Sequence, residues 1–430
     1  MRTDALNREA VQIMKSNDRG GYTVPTARLY PYQWNWDSAF AALGFATFDR
    51  PRAWREIEML FEGQWVDGMI PHIIFRRDDP DYFPGPGVWQ TDTTPPTTGH
   101  SQPPVIASVV RRLVESGGAF DVERARALYP KLMAYHRWFH AARDPAGTGV
   151  VAVVHPWESG RDNCPDWDAG MAGIEIAPDL EDYVRRDTAH VDASERPSKD
   201  QYDKFLTLIR DGRALHWDQR EIAARGQFFV ADPGIQFILL RADRDLLILA
   251  EQFGTPADRD LLRGWIAQSD VGSASLWNEK AGGFTARDLR SGTPSPGLSS
   301  ASFLAFWAGT GTPDQRHRLS TEARRIGRDM AYMLPSWDPG ASGFEPRRYW
   351  RGPIWLVVNY LVAEGFAEAG MDDLAVRIRE DSRKLIEQAG FYEYFNPLDG
   401  EGLGGGAFTW TAAIWLAWAS PSPESARQAA

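Results

Sequence analysis

Cysteine is almost absent: Cys164 is the single one in 430 residues. One thiol excludes an internal disulfide and suits a reducing compartment. No Gly/Ser tract, charge block or low-complexity segment marks a linker between domains. No apolar run approaches the roughly 20 residues that cross a bilayer. The first residues, Met1-Arg2-Thr3-Asp4-Ala5-Leu6-Asn7-Arg8-Glu9, lack the apolar stretch of a signal peptide. Basic residues are outnumbered, with Lys+Arg at 47 and Asp+Glu at 58, and the net charge of −11 argues against nucleic acid or an anionic membrane as partner. The eight histidines show no paired metal-ligand spacing. Gly404-Gly405-Gly406 lacks the Lys and Ser/Thr of a phosphate-cradling loop. The acids at 78, 79 and 81 follow no fixed calcium-loop pattern. These absences predict a soluble cytoplasmic protein with no metal and no cofactor, and say little about a small neutral or anionic substrate.

Tryptophan is what the chain has in excess, with 18 copies. Seven stand in loop-like contexts: Trp34, Trp36, Trp89, Trp157, Trp167, Trp337 and Trp350. Carbohydrate sites use indoles as flat apolar platforms, and large helical cores use them as filling. Apolar periodicity predicts helices over 1–18 (Ala5, Val11, Ile13 and Met14 inward), 37–46, 52–65, 103–114, 121–142, 203–212 and 217–224. More follow at 233–253, 256–267, 300–309, 313–333, 353–369, 371–389 and 408–419. A hairpin is predicted over 276–287, turning at Gly282-Gly283. The 76–104 stretch, rich in Pro, Gly, Asp and Thr, is too long for a bare connector and reads as functional. A mostly helical single domain over 1–430 follows.

The richest stretch is His155-Pro156-Trp157-Glu158-Ser159-Gly160-Arg161-Asp162-Asn163-Cys164-Pro165-Asp166-Trp167-Asp168. Pro and Gly make it a loop, leaving the apolar segment 150–154. Carboxyls among indoles suit a sugar site, because an apolar wall raises a carboxyl pKa until it can act as a general acid. A polar loop capping the next element is the plain alternative. Trp157-Glu158-Ser159-Gly160-Arg161-Asp162-Asn163 resembles the general-acid segment of glycoside hydrolase family 63, shared in looser form by the trehalases of family 37. Asn35-Trp36-Asp37-Ser38-Ala39-Phe40 resembles that family's sugar-binding segment. Phe391-Tyr392-Glu393-Tyr394-Phe395-Asn396-Pro397 with Phe408-Thr409-Trp410-Thr411-Ala412-Ala413 resembles its general-base segment. Leu29-Tyr30-Pro31-Tyr32-Gln33-Trp34 and Arg348-Tyr349-Trp350-Arg351-Gly352-Pro353-Ile354-Trp355 point to the small bacterial branch that hydrolyses glucosylglycerate and mannosylglycerate.

The resemblance implies an all-α (α/α)6 toroid with long loops and a few short strands lining one end. It implies inverting hydrolysis of an α-glycosidic bond, with Asp162 as general acid and Glu393 as general base acting through water. Glu158 and Glu401 remain rivals for the base, since Glu401 lies in a Gly-rich loop as the trehalase base does. Asp37 is expected to accept from sugar hydroxyls beside Trp36, or else to cap its helix. Arg196 is expected to pair with the glycerate carboxylate, joined by the donors Tyr82, Gln102 and Tyr202. Tyr30, Trp34, Gly160, Tyr349, Trp350 and Trp355 complete the expected wall. Asp166 and Asp168 are expected to be scaffold or solvent-facing, His155 a structural hydrogen-bonder and Cys164 inert packing. Three rivals stand beside this reading: a family 63 α-glucosidase for a small oligosaccharide, a toroid sugar epimerase working with histidines, and a sugar-binding module without chemistry. A homo-oligomer is the only macromolecular partner left open.

Overall fold

The computed structural model describes residues 2–27, 29–185, 187–189 and 191–421. Among these, twelve helices alternate between two concentric rings. They are α1 (Arg2–Asn17), α2 (Asn35–Phe45), α3 (Arg50–Phe61), α4 (Ile106–Glu115), α5 (Ala119–Arg143) and α6 (Pro233–Phe253). They continue with α7 (Pro256–Ser273), α8 (Leu304–Ala308), α9 (Pro313–Asp329), α10 (Leu356–Glu368), α11 (Asp372–Ala389) and α12 (Thr409–Ile414). The even-numbered helices pack in sequence, α2 on α4, α4 on α6, α6 on α8, α8 on α10 and α10 on α12, and α12 closes the ring on α2. The odd-numbered helices lie outside, with α1 against α12, so the first helix completes the wall begun by the last. This is the (α/α)6 toroid.

Burial follows from the sequence of each ring. Every residue of α2 is buried, as a helix apolar on all sides must be. In α9 only Leu319, Ser320, Ala323 and Ile326 are buried, the single stripe of an outer helix. Helix starts are set by side-chain caps and proline. Asp232 accepts from the Gly234 N–H at 2.7 Å ahead of Pro233, and Thr255 and Thr312 form capping boxes ahead of Pro256 and Pro313. Strands are few and two residues long. Gln33–Trp34 pairs with Ile73–Ile74, and Tyr394–Phe395 pairs with Gly402–Leu403. Ala152–Val153, Val230–Ala231 and Arg287–Asp288 form one small antiparallel sheet.

Several expected boundaries move. Ala5 is exposed and Asn7 is buried instead, because the Trp415 indole N–H needs its Oδ1 at 2.7 Å. The helix expected from Pro103 begins at Ile106, after a turn. The segment expected as one helix over 300–309 is a 3-10 turn, Ser300–Phe303, followed by α8. The polar segment after the acid loop contains a longer helix than expected, Lys199–Ala214, started by a Ser198/Gln201 capping box.

Candidate active site

Five of the six inner helices send residues from their first turn, or from the loop just before it, into one cavity of about 1020 Å3. Trp34, Trp36 and Asp37 come from the start of α2, Gln102 from the loop before α4, and Asp162 and Arg196 from the long connection before α6. Tyr349 and Trp350 precede α10, while Glu393, Phe408 and Trp410 precede or open α12.

The acid loop is pinned on both sides of Asp162. Arg161 donates to Asp166 (2.7 Å), to Asp232 at the start of α6 (2.6 Å) and to Ser299 (3.1 Å). Asn163 Oδ1 accepts from the Trp350 N–H (2.9 Å), and Arg351 bridges to the Asn163 carbonyl and to Asp168. Glu158 is buried and takes two N–H groups of Arg143 (2.8 and 2.7 Å) with the Ser101 and Val154 backbone N–H groups. Glu158 is therefore scaffold. Asp162 is left outside this network, facing the cavity, with the Tyr349 hydroxyl beside it. Gly160 has φ +69°, and a side chain there would meet the Trp36 indole at 2.8 Å. Only glycine allows that close packing of loop on platform.

Glu393 sits at the start of the Tyr394–Phe395 ribbon, 1% exposed. Its Oε1 accepts from the Tyr30 hydroxyl (2.9 Å) and its Oε2 from the Gly405 N–H (3.2 Å). Gly404 (φ +71°) must lack a side chain, since a Cβ would meet Oε2 at 2.4 Å. Trp410 donates its indole N–H to the Glu393 carbonyl at 3.2 Å. Burial pushes the Asp162 carboxyl up to about 7, with the Glu393 charge adding to the rise and Arg196 opposing it. Burial also raises Glu393, against Arg196, the Gly405 N–H and the Tyr30 hydroxyl. Those donors favour the ionised form of Glu393, so the pair can hold one proton on Asp162 and a negative charge on Glu393. Asp37 is raised well above the usual carboxylate range by burial and by both neighbours.

Arg196 is buried between two aromatic rings, 4.1 Å from the Tyr349 ring centre and 5.9 Å from that of Tyr30. Its Nε donates to Asp187 (3.2 Å), and its Nη1 lies 3.9 Å from Glu393 with no hydrogen-bond partner among the described residues. Tyr349 adopts φ +42°, a strained backbone for a residue with a side chain, which turns its phenol against Arg196 and to 3.3 Å from the Tyr30 hydroxyl. Tyr202 donates to the Phe83 carbonyl (3.2 Å), and Gln102 Oε1 accepts from the Trp36 N–H (3.2 Å). Tyr82 packs edge-on against Trp34 and Tyr32.

A family model described as the mannosylglycerate hydrolase MGH1-like glycoside hydrolase domain matches residues 30–411. The chain belongs to this glycoside hydrolase family. A mannosylglycerate hydrolase of Selaginella moellendorffii is 47% identical over 95% of this chain and 84% of its own. A glucosylglycerate hydrolase of Mycolicibacterium hassiacum is 34% identical over 96% of this chain and 97% of its own. The crystal structure of the family 63 mannosylglycerate hydrolase of Thermus thermophilus, in complex with Tris and D-glycerate, superposes with a TM-score of 0.93 at 47% identity, covering 96% of this chain and 99% of that one.

In this family 63 chain, eleven of the twelve expected binding residues line the cavity: Tyr30, Trp34, Trp36, Asp37, Tyr82, Gln102, Gly160, Arg196, Tyr202, Tyr349 and Trp350. Trp355 does not. It stands behind Trp350, stacked at 3.8 Å and 5°, and donates to the Tyr349 carbonyl at 3.1 Å, so it supports the wall from the core. Glu401 is also outside, half exposed and paired with Arg347. Of the loop tryptophans, Trp89, Trp167 and Trp337 are core filling. Cys164 is buried, and His155 accepts from the Trp157 N–H (3.0 Å) with its Nε2 against the Phe205 carbonyl. Lining residues that sequence reasoning missed include Asp187, His72, Trp157 and Phe408. Trp157 and Phe408 lay inside the family-like motifs, whereas Asp187 and His72 carry no local signal. Burial holds His72 well below the usual histidine range, so it is neutral, and its Nδ1 has no hydrogen-bond partner among the described residues.

Proposed function

We propose that this enzyme hydrolyses the α-glycosidic bond of 2-O-α-mannosyl-D-glycerate, and of its glucosyl counterpart, with inversion at the anomeric carbon. Asp162 protonates the leaving glycerate oxygen, and Glu393 takes a proton from the attacking water. After turnover Asp162 is ionised and Glu393 protonated, and exchange with solvent restores the pair. Trp36 and Trp350 form the apolar floor for the sugar ring, and Asp37 meets its hydroxyls. Arg196 pairs with the glycerate carboxylate. The observation that carries this reading is the Arg196 Nη1: a buried donor with no hydrogen-bond partner among the described residues, beside the two carboxyls, suits an anionic leaving group. The activities of the relatives and the D-glycerate in the Thermus thermophilus complex support the same leaving group. Glucose is kept beside mannose because a relative at 34% identity is a glucosylglycerate hydrolase. The whole chain acts as one catalytic unit, supported by the closure of α12 on α1 and α2. We place it in the cytoplasm, in keeping with its single thiol.

Turnover of both glycosides, followed by proton NMR of the first sugar released, tests the reading. The β anomer should appear first from either α-linked substrate. Early α anomer would mean retention and would exclude Glu393 acting through water. Faster turnover of a neutral α-linked disaccharide than of either glycerate would leave a family 63 α-glucosidase as the surviving function.

A further inference from the structure

Arg196 is the one arginine or lysine among the described cavity-lining residues, and it stands among carboxylates. A guanidinium so placed is useful to a substrate only if its free edge is aimed, because its stem rotates and its anionic neighbours compete for it. The neighbour that takes hold of it is Asp187, whose Oδ2 accepts from the Arg196 Nε at 3.2 Å. Asp187 is in turn fixed from outside the cavity. Arg185 Nε donates to its Oδ1 at 3.0 Å, and Arg185 Nη2 donates to its Oδ2. Arg185 also donates to the carbonyl of Pro197, the residue after Arg196, and lies 4.6 Å over the Tyr202 ring. The strap therefore runs from Tyr202 and Pro197 through Arg185 and Asp187 to the Nε edge of Arg196. The opposite edge, Nη1, is buried and has no hydrogen-bond partner among the described residues.

We propose that Asp187 is the positioning residue of the carboxylate subsite: by holding the Nε edge of Arg196 it leaves Nη1 aimed at the carboxylate of the leaving acid. This rests on the glycerate reading above. It assigns a substrate-directed task to a residue whose carboxylate would otherwise only balance charge. The bond is directional, so a neutral amide in its place, able to turn either an oxygen or an N–H toward Arg196, no longer fixes the guanidinium.

The test compares the unmodified enzyme with Asp187→Asn on 2-O-α-mannosylglycerate and on the neutral 2-O-α-mannosylglycerol, with D-glycerate as inhibitor. For the charged glycoside KM should rise by about ten- to a hundred-fold while kcat stays within about three-fold, as expected when a binding group loses its aim. Inhibition by D-glycerate should weaken in parallel. The neutral glycoside should be turned over within about three-fold of the unmodified rate, which also shows that the variant is folded. Asp187→Glu, which keeps the charge, should recover part of the lost affinity. Equal losses on both glycosides, or an unchanged KM for the charged one, would overturn the role of Asp187 while leaving the glycerate reading intact. A preference of the unmodified enzyme for the neutral glycoside would overturn both.

Discussion

The two ends of the toroid treat charge in opposite ways. At the far end, the later turns of the inner helices enclose a second cavity of about 540 Å3 containing Arg241, Asp245, Arg111, Arg112, Glu364 and Glu368. There the charges are paired. Arg241 bonds Asp245 (3.1 Å) and Glu368 (2.7 Å), Arg111 bridges to Asp245 (3.3 Å), and Arg112 bridges to Glu364 (2.6 Å). At the near end three carboxyls, Asp37, Asp162 and Glu393, line one cavity with a single buried guanidinium among the described residues, that of Arg196, which is already shared with Asp187. Burying a charge is costly unless it is paired, and in a catalytic site that cost appears as shifted pKa values. The far end holds the ring closed. The near end leaves its buried charges only partly paired.

The largest way to break this contrast is to remove the cavity-facing carboxyls. Asp162→Asn and Glu393→Gln should each lower kcat by about 10²–10⁴ with the fold retained, measured by steady-state kinetics beside a urea melt. A Glu393→Gln enzyme of near-normal rate would remove the base from the proposed mechanism. Next comes Arg196→Ala, which strands the substrate carboxylate and should cost roughly 2–5 kcal/mol in kcat/KM for the glycerate glycosides. The neutral analogue should lose much less. The same variant should move the pH profile. The arginine's charge opposes the burial that pushes Asp162 up to about 7. Without it Asp162 holds its proton to higher pH, so the basic limb of kcat/KM should move upward. Glu393 loses the same support, so the acidic limb should move upward as well.

At the far end the signs exchange. Asp245→Asn removes an acceptor shared by two arginines and should cost about 2 kcal/mol of stability in a urea melt, with kcat/KM unchanged. A catalytic loss there would mean that the two ends are coupled. The smallest effect is expected from Glu401→Gln. Its pair with Arg347 is half exposed, so the change should cost under about 1 kcal/mol and leave activity intact.

Much of the fold was legible because periodicity is local. α6 was read residue for residue, and α7, α11 and α12 within a few residues of at least one end, because prolines, caps and apolar stripes act within a turn or two. Ala5 was misread because its neighbour Asn7 is buried by Trp415, from the other end of the chain. Inner and outer helices were equally helical on paper, and only closure of the ring decided which were covered on every side. The segments proposed to carry the acid and the base were legible as words, through their resemblance to a family. Trp355 was read as wall because it is an indole in the right segment, but its neighbour Trp350 covers it.

The sequence by itself determined the helices, the absence of a disulfide, and the segments that would carry carboxyls among indoles. Those are matters of residue type and short spacing. Which carboxyls would be free was decided only by tertiary structure. Glu158 and Asp162 stand in one loop, yet Arg143 takes the first and leaves the second to the cavity. Glu393 and Glu401 flank one ribbon, yet Gly405 and Tyr30 hold the first inside while Arg347 holds the second outside. Asp187 is held by Arg185, two residues before it, and in turn takes the Nε of Arg196. A buried charge is defined by its partners, and partners brought together by closing a ring of helices have no fixed spacing along the chain.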